Sequence, residues 1–286
     1  MKKPPLMLSA PVRGGRLSNE TASDTGHRSG VERVIEMTRS WRLLASVGIT
    51  AMLLVMAGGC GGDGTTDPNG DDVDLLFEEL FSNVPDGSIP VGWTIIDQQS
   101  ATEEDPGDWK VKSGRLRQAS NIQAPITTGL SYAINYEGTM AVIGDTSWTN
   151  ISFRADIIPR DDDGVGMVFR WKPSDVDPDG NFYRLLMVED SSSGGPKLRL
   201  DRRLDGVWEI IDEKTTTYNG YTEGKKYVVE IDMVVDDFTV KINGSIVFEF
   251  EDRVADGGLA SGKVGFFCYA EQGADFDNVK VFRRGP

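Results

Sequence analysis

The feature that most constrains this chain is a two-residue turn set between two alternating runs near its C-terminal end. Phe238-Thr-Val-Lys-Ile-Asn243-Gly244-Ser-Ile-Val-Phe-Glu-Phe alternates apolar and polar residues on both sides of Asn-Gly. A type I′ turn needs positive φ at both central residues, which Asn-Gly adopts at little cost, so the segment reads as a β-hairpin. Weaker versions of the pattern recur upstream. Trp109-Lys-Val-Lys runs into Ser113-Gly114, and Arg115-Leu-Arg-Gln resumes beyond it. Ile151 to Ile157 alternates; Val165, Met167, Phe169 and Trp171 are expected on one strand face, and Tyr227, Val229, Ile231 and Met233 on another. Val264-Gly-Phe-Phe-Cys-Tyr and Phe276-Asp-Asn-Val-Lys-Val-Phe close the chain. From Leu75 onward no stretch carries a convincing helical period. Short, regularly spaced strands with turn residues between them predict an all-β antiparallel sandwich or barrel.

The N-terminal quarter follows different rules. Leu43 to Gly59 is an uncharged apolar run, with Arg39 and Arg42 just before it and Cys60 just after. A basic segment, an apolar core and small residues before a cysteine read as a bacterial lipoprotein signal, in which Cys60 is lipidated and becomes the first residue. A start at Met37 gives that signal its expected length, so residues 37–59 form the signal peptide. Residues 1–36, polar and patternless, are expected to be disordered or untranslated. The competing reading is an uncleaved anchor, but the run is at the short limit for a hydrocarbon core of ~30 Å. Ala57 departs from the common pattern, which has leucine there, while Gly58-Gly59-Cys60-Gly61-Gly62 lacks the basic flank of a stop-transfer segment. Residues 60–72 follow as a flexible linker, and residues 73–286 as one domain large enough to bury its core without disulfides. The expected location is the cell envelope, lipid-anchored and exported. Gly61 carries no aspartate-type retention signal, which favours an outer membrane or cell surface.

Removing residues 1–59 narrows the available chemistry. The single histidine, His27, leaves with them, which excludes Ser-His-Asp and Cys-His catalysis and His-ligated zinc. Cys268 is the only thiol left besides Cys60, so no disulfide forms within the domain. The chain carries a net charge of −15, and the part from Cys60 onward holds 22 basic and 41 acidic residues, net −19. Such a surface repels nucleic acid and favours cations or neutral partners, calcium being the natural suspect outside the cell.

The order GDTSWTNISFRADI, RDDDGVGMVFRW, NFYRL, RLDGVWEII, YVVEIDM, FTVKINGSIVFEF and SGKVGFFCYAEQGADFDNVKVF resembles the concanavalin A-like jelly roll. The laminin G-like and 3-keto-disaccharide hydrolase-like branches are the most similar in pattern. The resemblance covers roughly residues 76–283 and implies two stacked antiparallel sheets, with ligands on a concave face or at its rim. It implies a fold more than a function, since this fold hosts lectins, glycosidases, adhesion modules and inert spacers.

Five sets of residues are candidates. Glu230-Ile-Asp232 resembles half of the glucanase motif of this fold; alternation puts both carboxylates on one face, but Val234, Val235 and Asp236 stand where a second glutamate belongs. The plain alternative is a solvated outer face. Asp175, Asp177, Asp179 and Asn181, with Gly180, match the start of a calcium loop, though Leu186 replaces the bidentate glutamate; otherwise they form an acidic turn. Asp161-Asp162-Asp163 is a second acidic turn, whose adjacent side chains are not expected to converge. Asp277 shares strand parity with Val279 and Val281 and is expected as a partly buried structural carboxylate needing a partner. Arg170, Trp171, Tyr183, Arg184, Arg202 and Trp208 offer flat faces and planar donors suited to sugars, with ordinary core packing as the alternative. These readings favour a surface-tethered, non-catalytic binding module for a polysaccharide or another extracellular partner. The rivals are a glycoside hydrolase working through carboxylates or a metal, and a structural lipoprotein without a small ligand.

Overall fold

The computed structural model describes residues 74–98, 106–124 and 135–285, all within the compact unit Cys60–Pro286. Cys60, the signal segment, the linker and the N-terminal extension lie outside the described residues. The first strands in chain order are β1 (Leu75–Glu79), β2 (Thr94–Asp97), β3 (Trp109–Lys112), β4 (Arg115–Gln118) and β5 (Thr139–Ile143). The long central strands follow: β6 (Ile151–Pro159), β7 (Gly164–Lys172), β8 (Asn181–Val188), β9 (Lys197–Leu204) and β10 (Val207–Lys214). The last are β11 (Tyr227–Val234), β12 (Asp237–Ile242), β13 (Ser245–Glu251), β14 (Lys263–Tyr269) and β15 (Ala274–Arg283). A single 3₁₀ turn, Val254–Asp256, is the only helical element among the described residues.

Two antiparallel sheets result. One has the order β13-β12-β11-β6-β15-β4-β3, with β1 also paired to β15; the other runs β10-β9-β8-β7-β14-β5-β2. Alternation and turn spacing left a sandwich or a barrel open; the two stacked sheets are a sandwich, the jelly roll that the resemblance implied. The hairpin turns have the expected chemistry: Asn243 and Gly244 have φ of 51° and 79°, and Ser113 and Gly114 have 53° and 72°. In β7, Gly166 is required by space, since a Cβ there would lie 1.8 Å from the Leu185 carbonyl oxygen.

Alternating residues of both sheets fill the space between them. Phe153, Val229, Ile231, Val240, Phe276 and Val281 from the first meet Met167, Phe169, Leu185, Leu200, Val264 and Phe266 from the second. Phe266 and Phe276 stack across the gap with centroids 4.2 Å apart. Trp109 stacks on Phe276 and Trp93 on Phe266, so four rings form a column through the core. Burying side chains of this size supplies roughly 1.5–3 kcal/mol each, the main driving force for a domain without disulfides.

Two β-bulges override the simple alternation. The pairing of β7 with β8 slips between Phe169 and Lys172, and with β14 between Lys263 and Val264. Arg170 takes a φ of 51° at that slip. Phe169 therefore faces the inter-sheet core, whereas Trp171, expected on the same face, packs on the opposite one. The pairing of β15 with β6 slips between Asp277 and Lys280, where Asn278 has a φ of 51°. Phe276 and Val279 both point inward as a result, and Asp277 does not share their face.

Candidate functional site

Three of the six residues read as suited to sugars, Trp171, Arg184 and Trp208, lie on the outer face of the seven-stranded sheet, where each is engaged within the chain. Arg184 is fully buried there, between the rings of Trp208 (4.2 Å) and Phe267 (4.4 Å). Its Nε and Nη2 donate to Asp201 Oδ2 at 3.1 and 2.6 Å; Nη1 donates to the Tyr136 carbonyl and Nη2 to that of Asn135. Burial pushes this guanidinium down to about 10 despite the Asp201 charge. Trp208 Nε1 donates to Glu137 Oε1 at 2.9 Å, and Trp171 Nε1 to the Asp179 carbonyl at 2.9 Å. Residues 135–137 thus lie across this face, held by the groups that would otherwise meet a ligand.

The other three aromatic and arginine candidates sit at the rim of the inter-sheet core. Arg170 lies 4.6 Å over Phe238 and donates to the carbonyls of Leu259 and Val235, the latter at 2.6 Å. Tyr183 Oη donates to Asp252 Oδ2 at 2.7 Å and accepts the Leu259 N–H at 2.9 Å. Arg202 Nη1 reaches the same carboxylate at 2.7 Å, and its Nη2 reaches Glu209. Burial is the first cause that raises the Tyr183 hydroxyl far above its ordinary range. These groups fasten the segment after β13 to the sheet.

The acidic turn after β7 has found its cation within the chain. Arg203 donates to Asp177 through Nε (2.6 Å) and Nη2 (3.1 Å), pairs with Asp179 at 3.0 Å, and reaches Glu137 at 2.5 Å. Asp175 is exposed, and the Asn181 amide is engaged with Asp205, accepting its N–H at 2.7 Å. The four donors expected for calcium therefore do not fit one ion: two are spent on a guanidinium, one faces solvent and one is turned to a neighbouring hairpin. The other acidic turn does converge, contrary to expectation, with carboxylate oxygens of Asp161, Asp162 and Asp163 within 4.8 Å of one another. Beside it Glu271 is wholly buried, its Oε1 accepting the N–H groups of Arg160 and Asp161 at 2.9 Å each. Burial pushes Glu271 up to about 8, and burial followed by neighbouring carboxylates pushes Asp163 up to about 6. Glu230 and Asp232 share the outer face of the eight-stranded sheet, where Lys241 Nζ binds both, at 2.9 and 2.8 Å.

The open site lies elsewhere, at the end of the eight-stranded sheet beside β3 and β4. A cleft of about 670 Å³ is lined by Asp86, Asp108, Lys110, Lys112, Arg117 and Arg160, with Gln272 and Gly273 at one lip. The volume falls in the roughly 300–1,000 Å³ range of small-ligand sites. Local structure explains its walls. The Gly87 N–H donates to the Val111 carbonyl and the Val111 N–H to that of Ser88, each at 2.8 Å, so this loop pairs with the free edge of β3. Asp86 accepts the Ser113 N–H at 2.9 Å, which clasps the β3–β4 turn.

Asp275 forms the floor. It projects outward from β15 directly opposite Arg117 of β4, yet its side chain is only 1% exposed, because arginines cover it. Arg117 Nε and Nη2 donate to its two oxygens at 2.6 and 2.9 Å, and Arg160 Nε and Nη2 to Oδ2 at 3.0 and 2.7 Å. Burial pushes the Asp275 carboxyl up, but the hydrogen bonds from Arg117 and Arg160 outweigh it and hold it below the usual range. Asp275 thus has the buried structural role expected of Asp277. Asp277 is less buried, 3.7 Å from Arg115 and bonded to the N–H of Asn278. Sequence reasoning missed Asp275, Arg117, Arg160 and both lysines. The available signal was Asn278, a residue tolerant of positive φ, whose bulge puts 275 and 277 on the face opposite Val279 and Val281.

No protein-family model matches the chain, and no match was found among curated proteins. Solved structures share its architecture. A Bacillus subtilis protein with a galectin-like fold aligns over 74% of this chain and 97% of its own, at 14% identity and a TM-score of 0.50. The carbohydrate-binding module CBM66 from Bacillus subtilis covers 66% of this chain and 94% of its own, at 16% identity and a TM-score of 0.42. The alginate lyase Aly36B covers 72% and 96%, at 13% identity and a TM-score of 0.47. The likeness is one of fold alone: the chain shares a two-sheet jelly-roll sandwich with the galectin-like structure.

Proposed function

We propose that the chain is a non-catalytic glycan-binding module, exported and held at the cell envelope by lipid on Cys60 with residues 61–72 as a spacer. The observation that carries the binding reading is the open cleft at β3–β4, with hydrogen-bond donors and acceptors fixed around it. Sugars present both kinds of partner, and a rigid polar wall orders them without a further conformational cost. The jelly-roll sandwich shared with the galectin-like structure agrees with this reading. A second reading, a structural lipoprotein without a small ligand, draws on the closed outer face of the seven-stranded sheet. Incubation with a panel of polysaccharides separates them, read by retardation in affinity gels and by the thermal midpoint. Retardation by one glycan without new reducing ends supports the binding module; new reducing ends point to a hydrolase, and no retardation to the structural role. Labelling with a radioactive fatty acid, compared with Cys60→Ser, tests the tether: equal labelling of both would refute it.

A further inference from the structure

The cleft has a chemical bias that the chain as a whole lacks. In a protein of net charge −15, four cations line it: Lys110, Lys112, Arg117 and Arg160. Of the carboxylates on its wall, Asp108 pairs with Lys110, and Asp86 accepts the Ser113 N–H but keeps its charge, so the four cations face three carboxylates when Asp275 is included. Asp275, beneath the arginines, neutralises one charge of the pair and leaves the other. That shared carboxylate also fixes both guanidiniums through Nε and Nη2, so the third nitrogen of each has no partner among the described residues. Lys112 is exposed and likewise has no ion-pair partner among the described residues. Two guanidiniums immobilised side by side, with an unpaired ammonium on the same wall, form a prepared receptor for a small oxyanion, at little ordering cost on binding.

We infer that this cleft binds an acidic sugar, gripping the carboxylate or sulfate group of a glycan between the Arg117–Arg160 pair and Lys112. The inference rests on the glycan-binding reading and names the class of sugar. The acidic surface outside the cleft does not oppose it at short range, since charges beyond about 8 Å are largely screened at physiological salt. That surface does restrict the ligand to a short acidic stretch and excludes long, densely charged polyanions such as nucleic acid.

The test is calorimetric titration of the full-length protein in detergent with four oligosaccharides. These are an oligogalacturonate, its neutral methyl ester, a sulfated galactan fragment and the unsulfated fragment. The expected result is binding of one or both acidic sugars at least tenfold tighter than their neutral counterparts, weakened tenfold or more by Lys112→Glu. The galacturonate and sulfate arms distinguish the two sources of negative charge. Lys112 is an exposed strand residue, and an unchanged thermal midpoint confirms that its variant is folded; Lys110→Ala serves as a second, milder variant. Equal binding of acidic and neutral forms would overturn the inference while leaving the glycan-binding reading intact. Tight acidic binding that ignores both lysine variants would also overturn it, by placing the site elsewhere. Binding of none of the four removes the acidic-sugar inference; if the wider polysaccharide panel is also negative, the glycan reading goes with it.

Discussion

Glu271→Gln should abolish a pH dependence of stability built into one end of the sandwich. Glu271 sits in the turn between β14 and β15, fully buried, bonded to two backbone N–H groups and 3.4 Å from the Tyr221 hydroxyl. Burial, reinforced by the nearby carboxylates of Asp161 and Asp163, raises its carboxyl from 4.5 to about 8. The folded protein therefore binds this proton more tightly than the unfolded chain does. The stabilisation is fully present below the unfolded value and is lost as pH rises through the folded one. At about 1.36 kcal/mol per pH unit, the difference amounts to roughly 5 kcal/mol between pH 4 and pH 9. Asp163, raised to about 6, acts in the same direction over a lower range. Glutamine keeps an acceptor for both N–H groups and carries no charge at any pH. Urea denaturation at pH 5, 7 and 9 is the assay. Wild type and variant should agree within about 1 kcal/mol at pH 5, and the variant should be several kcal/mol more stable at pH 9. If the wild type keeps or gains stability relative to the variant between pH 5 and 9, Glu271 ionises at an ordinary value and the reasoning fails.

Asp201→Ala leaves the fully buried Arg184 without its carboxylate and should cost about 3–5 kcal/mol by chemical denaturation. The double variant Arg184→Met, Asp201→Ala should recover much of this; a double-mutant cycle with additive losses would show that the pair is not coupled. Asp177→Ala should lower the thermal midpoint equally in calcium and in chelator, because Arg203 already serves as the counter-ion of that carboxylate. A midpoint that rises with calcium in the wild type and not in the variant would restore the calcium loop.

Local patterns made the strands and hairpins legible. Alternation of period two, Asn243-Gly244 and Ser113-Gly114 act over a few residues, so they remain valid in any tertiary setting. Alternation also put Glu230 and Asp232 on one solvated face, where Lys241 now binds both. The candidate site was far less legible. Trp171 and Asp277 were placed by counting in twos, and a bulge beside each reversed the count. Those bulges arise from pairing to strands on both sides, information that no single strand carries.

The sequence by itself determined that this chain makes an all-β antiparallel fold, a sandwich or a barrel. Strand period and turn chemistry are short-range properties, and no competing helical pattern opposes them. Only the tertiary structure decided what its charges do. Asp177 meets Arg203 across 26 residues and Arg117 meets Asp275 across 158, with partners chosen by strand register rather than by sequence neighbourhood. The same register buried Arg184 between Trp208 and Phe267 and opened a cleft lined by four cations at β3–β4, built from five separate stretches of chain. Electrostatic complementarity depends on distances through folded space, and those distances exist only once the sheets have stacked.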